Sequence, residues 1–175
     1  MNLAYRTLIS FLSFNIGWWV CAVGASYGYP WAGPALTPLL LGLHLYLSPT
    51  PRGEALFIAS CGGAGFLFDT LLLRAGLFTT IPDAQWAPAW IVAMWMLLGL
   101  TYESMLMVRK TPRLLFLMGA ISGPMSYFAG EALNILSYTR PLWLSLPVHG
   151  LIWGALTIML FIFRDWSLRV TVRRN

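Results

Sequence analysis

Residues 54–75 read EALFIASCGGAGFLFDTLLLRA, an apolar run broken in its interior by a single carboxylate, Asp69. Coiled as a helix rising about 1.5 Å per residue, a segment of this length covers the roughly 30 Å hydrocarbon core of a bilayer. Working outward, five comparable segments emerge, and the reading is an all-α polytopic membrane protein, one bundle of six transmembrane helices over 1–175. The expected spans are 7–28, 31–49, 54–75, 87–108, 113–137 and 141–163. Turn punctuation separates them at Tyr29-Pro30, Ser48-Pro49-Thr50-Pro51, Thr111-Pro112 and Arg140-Pro141. Only 76–90 makes a longer loop. Composition agrees: 58% hydrophobic against 10% charged leaves too little charge to solvate a globular surface of 175 residues.

Nine of the eleven basic residues fall on one predicted side. They are Arg6, Arg52, Arg109, Lys110, Arg113, Arg164, Arg169, Arg173 and Arg174, whereas Arg74 and Arg140 fall on the other. The excess of positive charge on cytoplasmic segments predicts both termini inside. The formal charge of +5 is therefore a topology signal; no basic face suits nucleic acid. The apolar stretch after Arg6 reads as a retained helix, because another apolar segment follows it instead of a soluble domain. Most tryptophans, including Trp31, Trp86, Trp90, Trp143 and Trp166, sit near span ends as interfacial anchors. Cys21 and Cys61 differ in expected depth by roughly 10 Å, too far to pair, and read as small apolar fillers.

Small residues line helix faces at Gly17, Cys21, Gly24 and Gly28, at Gly119, Gly123, Ser126 and Gly130, and at Gly150 and Gly154. Such faces let helices approach closely, mainly within the chain and alternatively against a membrane partner. Beside the second runs a polar stripe, Tyr127, Glu131, Asn134 and Tyr138, at i, i+4, i+7 and i+11, with Pro124 expected to kink the helix. Ionisable groups inside spans cost several kcal/mol unless paired, protonated or wet, which singles out Asp69, Glu103 and Glu131. The topology sorts the polar groups into two layers. An outer one holds Asp69, Glu131 and His149 near Arg74 and Arg140; an inner one holds Glu103, His44 and Asn15. Structural alternatives stand beside each. Asp69 could pair with Arg74 or Arg140, Glu103 could snorkel to Arg109 or Lys110, and His44 and His149 could be satisfied packing residues. No metal-ligand spacing, P-loop or G-x-S-x-G nucleophile elbow occurs, so neither metal nor cofactor is expected.

Several runs carry a resemblance. They are Asn15-Ile16-Gly17-Trp18-Trp19-Val20-Cys21, Gly28-Tyr29-Pro30-Trp31, Gly65-Phe66-Leu67-Phe68-Asp69-Thr70-Leu71 with Gly76-Leu77-Phe78, Pro88-Ala89-Trp90 leading to Trp95, and Gly123-Pro124-Met125-Ser126-Tyr127-Phe128-Ala129-Gly130. In order and over most of the chain they resemble DUF2878. That resemblance implies a small six-span protein of the bacterial inner membrane and implies no activity. The Gly65-to-Asp69 turn with Gly76 beyond it is also similar to six-span substrate-binding subunits of vitamin transporters and to the rod-shape protein MreD.

The functional expectation is a multi-pass protein of the bacterial inner membrane that takes an amphipathic small molecule or lipid into an outward-facing polar chamber, as a transport or substrate-binding subunit. Asp69, Tyr127, Glu131, Asn134 and His149 are the expected polar contacts, with Trp86 and Trp90 closing over them. One alternative is a membrane enzyme, or an accessory protein, in lipid modification, with Glu131 or Asp69 exchanging protons with His149. Another is a structural organiser working through the glycine faces.

Overall fold

A computed structural model describes residues 3–102 and 111–172. Six helices run through these residues: α1 Leu3–Ser26, α2 Ala32–Leu47, α3 Pro51–Arg74, α4 Ala89–Thr101, α5 Pro112–Ala132 and α6 Leu142–Val172. Three of them, α1, α3 and α6, are long and apolar enough to cross a membrane, whereas α2 and α4 are shorter apolar helices. Glu103, Arg109 and Lys110, with the expected snorkelling pair, lie outside the described residues, as does the far end of the expected 87–108 span.

The local chemistry sets the ends. Prolines at Pro51 and Pro112 open α3 and α5, where a missing N–H costs nothing and the fixed φ suits the first turn. At the opposite end, α3 stops at Gly76, whose φ of +65° reverses the chain while Leu77 N–H donates to the Leu72 carbonyl. Asn134 does the same for α5 at φ +55°, with Ile135 N–H donating to Gly130. Helix five therefore ends at Ala132, short of the expected 137, and Leu136–Tyr138 instead forms a strand, β2. It pairs antiparallel with β1, Phe78–Thr80, in the register Phe78 to Tyr138. This ribbon ties the loop after α3 to a segment read as the end of the fifth helix, and among the described residues it is the one departure from all-α. Helix six is longer than its expected 141–163, reaching Val172.

Neighbouring helices meet through small residues. A Cβ at Gly33 (α2) would lie 2.2 Å from Cys21 Sγ, and one at Gly17 would lie 2.5 Å from a Leu97 methyl of α4. Helices α5 and α6 run antiparallel with Gly119 and Gly123 against Thr157 and Trp153, and Gly150 and Gly154 against Ala120 and Phe116. Both glycine faces are thus covered within the chain. Helix α3 packs on α4 and on α6 and joins two groups, α1–α2–α4 and α5–α6. Between α1 and α5 the groups touch sparingly. Trp18 Nε1–H donates to Ser126 Oγ (3.2 Å) and Ser26 Oγ–H to the Leu133 carbonyl (2.8 Å). Cys21 and Cys61 are both buried and free.

Candidate functional site

Glycine and a polar residue one turn later make the same device twice. On α3, Gly65 leaves a notch that the indole of Trp95 fills; a Cβ there would lie 2.0 Å from Trp95 Cγ. One turn on, Asp69 accepts a hydrogen bond from Trp95 Nε1–H at 2.6 Å. On α5, Gly123 leaves a notch for Trp153, and a Cβ there would lie 2.1 Å from its Cγ. One turn on, Tyr127 donates its hydroxyl to the other Asp69 oxygen. The two indoles stack on each other, centroids 4.7 Å apart and planes 15° from parallel. Helices α3, α4 and α5 thus converge on one carboxylate that is 0% exposed, and α6 joins them through the Trp153–Trp95 stack.

The ribbon closes this cluster from the end of the bundle. Phe78 of β1 packs on both Tyr127 and His149, and Tyr138 of β2 meets His149 edge-on at 5.5 Å. His149 is fully buried and stacks on Tyr127 at 4.6 Å. Among the described residues neither of its ring nitrogens has a hydrogen-bond partner, and the same holds for the Tyr138 hydroxyl.

Beside the cluster, a cavity of about 120 Å³ opens between the two helix groups. Phe14 and Trp18 of α1, Trp90 and Met94 of α4, and Ser122 and Ser126 of α5 form its walls, and Asp69, Trp95, Tyr127 and Trp153 border its floor. Among the described residues no Lys, Arg or His lines it. The lining is chiefly aromatic and aliphatic with few polar atoms, the composition of a small-molecule site. Among the described residues no group of His, Cys, Asp and Glu side chains could hold a metal ion.

Of the residues singled out by sequence, Asp69, Tyr127 and Trp90 border the cavity and His149 stands behind Tyr127. The remaining three lie elsewhere. Glu131 accepts from the Tyr138 backbone N–H at 3.1 Å and helps hold the ribbon. Asn134 is an exposed left-handed helix terminator, so the polar stripe of Tyr127, Glu131, Asn134 and Tyr138 is cut where α5 ends. Trp86 is exposed, stacks on Phe66, and carries the Arg74 guanidinium 4.2 Å from its ring centroid. Arg74 also donates to the Gln85 carbonyl, and Arg140 is exposed, so in place of the alternative pairing of Asp69 with either stand bonds from Trp95 and Tyr127.

The other end of the bundle also differs from expectation. His44 meets Glu54, a residue the sequence reading passed over at a span edge, while Asn15 only bonds back to the Phe11 carbonyl of its own helix. Arg164 donates to Glu54 Oε1 at 2.7 Å, His44 Nε2 lies 3.9 Å from Oε2, and the Ser10 hydroxyl is 2.8 Å from His44 Nδ1. All four side chains are buried. Trp95 and Trp153 were also missed as site residues, although each sits deep inside an apolar run rather than at its end.

No curated protein and no solved structure matches the chain. A family model described as a protein of unknown function (DUF2878) matches residues 7–159, which take in most of α1, α2 through α5, both glycine-to-polar steps and most of α6; the chain therefore belongs to the DUF2878 family.

Proposed function

We propose that this protein crosses the bacterial inner membrane six times with both termini in the cytoplasm. In that setting it binds an amphipathic small molecule or lipid, as the substrate-binding or transport subunit of a membrane system. The distribution of Lys and Arg, nine on the terminal side against two, supports the orientation. On that orientation the Asp69 cluster and its ribbon belong to the outer half and the Glu54 network to the inner half.

One observation carries the binding reading: the cavity between α1, α4 and α5, apolar along its walls and bordered at its floor by a buried carboxylate. Helices α1 and α5 are held together there by two hydrogen bonds rather than by an interdigitated face. An apolar chain can therefore reach the cavity sideways from the bilayer while its polar end meets Asp69, Ser122 and Ser126. The ligand is shared between protein and lipid, an arrangement that suits a molecule too apolar to cross water.

The test is to purify the protein in mild detergent from its native host and identify co-purifying small molecules by mass spectrometry. Ser126→Leu, which fills the cavity mouth, is run alongside. A compound enriched with the wild type and lost from the variant is the expected result. Equal amounts of bulk phospholipid in both preparations would overturn the binding reading.

A further inference from the structure

The cavity's own electrostatics narrow its ligand, given the binding reading above. Asp69 receives hydrogen bonds from two neutral donors, Trp95 Nε1–H and the Tyr127 hydroxyl. A carboxylate has about four acceptor positions, so the cluster leaves capacity on it. What the cluster does not supply is charge, since no basic side chain among the described residues borders the cavity. A carboxylate taken out of water is costly unless a cation accompanies it. On the same helix Glu54 is given one by Arg164 at 2.7 Å. Among the described residues Asp69 is the buried acid without one, and it is the acid beside the cavity.

The walls add a second preference. Trp18, Trp90, Trp95, Trp153 and Tyr127 all border the cavity, and aromatic rings attract cations, most strongly where water is excluded. An anionic head would place like charges together in a low dielectric, and a hydroxyl would gain only a hydrogen bond. The volume, about 120 Å³, is of the order of that which holds one benzene in an engineered apolar cavity, whose benchmark is about 150 Å³. It fits a small head and its first few methylenes, with the rest of the chain leaving between α1 and α5. We propose that the cavity binds the positively charged nitrogen of a lipophilic amine, with Asp69 as counter-ion and the surrounding indoles as cation–π partners.

The experiment uses the full chain in uncharged maltoside micelles, with tryptophan fluorescence titrated by octylammonium, octanol and octanoate. These share one chain and differ in the head. Octylammonium is expected to bind about tenfold more tightly than octanol, with octanoate weakest. Asp69→Asn should erase the preference while leaving octanol affinity in place, which also reports that the variant is folded. Trp90→Leu, which leaves the carboxylate cluster intact, should weaken octylammonium about fivefold and octanol little. Equal binding of all three heads, or a preference that survives Asp69→Asn, would overturn the amine assignment and leave an apolar-chain site standing. Failure of all three to bind the wild type would overturn the cavity reading itself, and the amine with it.

Discussion

Glu54 and Asp69 stand on one helix fifteen residues apart, about 22 Å along its axis, and are buried in opposite ways. Glu54 is surrounded by groups that answer it, with Arg164 at 2.7 Å, His44 at 3.9 Å and Ser10 beyond His44. Four helices, α1, α2, α3 and α6, each contribute one side chain. Asp69 joins α3 to α4 and α5, and to α6 through the Trp95–Trp153 stack, yet its hydrogen-bonding neighbours are neutral and one side of the cluster borders open space. A carboxylate tied to a buried cation links the two helices that carry them. Among the described residues the acid beside the cavity has hydrogen bonds but no cation to tie it to another helix.

The largest way to break this comparison is at the ion-paired end. Removing one partner of a buried ion pair leaves an uncompensated charge and costs about 3–5 kcal/mol. Arg164→Met should therefore lower thermal stability in detergent by that order. The Glu54→Leu/Arg164→Met pair should recover most of the loss, because replacing both charges by apolar groups is often close to neutral. If the single and double variants lose the same amount, the Glu54–Arg164 contact is not what locks these helices.

The glycine notches rank next. Gly65→Ala and Gly123→Ala place a methyl within van der Waals overlap of Trp95 and Trp153, backed by a stacked pair with little room to yield. Overpacking of this kind costs about 1–3 kcal/mol. Because the tryptophans must shift, intrinsic fluorescence should change along with the melting temperature. Gly63→Ala, with open space around its Cβ, is the control and should leave both unchanged or slightly stabilise the helix.

Asp69→Asn should affect stability least among the buried acids. The amide keeps an acceptor for one of the two donors and loses a charge that has no cation beside it, so the change should fall within about 1.5 kcal/mol of wild type, in either direction. A loss as large as that of Arg164→Met would make Asp69 a structural lock like Glu54 and remove the contrast.

The membrane helices were readable because crossing a bilayer depends on length and composition, and the apolar run at 54–75 states both. Asp69 and Tyr127 were readable for the same reason, as polar groups where polarity is expensive. The ribbon was not, since three residues on each side of it carry no periodic signal and their pairing is set by where α3 and α5 stop. Asn134 entered the expected site by extending helical spacing past Ala132, and it is the residue that ends the helix, whereas Glu131, in the last turn of α5, accepts the Tyr138 N–H of the ribbon. Trp95 and Trp153 were overlooked because tryptophan was weighed as an interfacial anchor, whereas here the indole N–H of one serves a buried acid. Glu54 was overlooked because it stands at a span edge, where its partner Arg164 is 110 residues away in sequence.

The smallest expected effect tests the weakest contact between the two helix groups. Trp18 keeps its ring against the cavity and spends its N–H on Ser126, so Trp18→Phe removes the bond and preserves an aromatic wall. A hydrogen bond of this kind contributes about 0.5–1.5 kcal/mol, and the melting temperature should move little. The consequence should instead be kinetic. If α1 and α5 bound the side door, loosening them should speed both entry and release of an octyl ligand in stopped-flow fluorescence and change the equilibrium affinity less than either rate. Unchanged rates would mean that ligands reach Asp69 by another route, with the ribbon end of the bundle the next place to look.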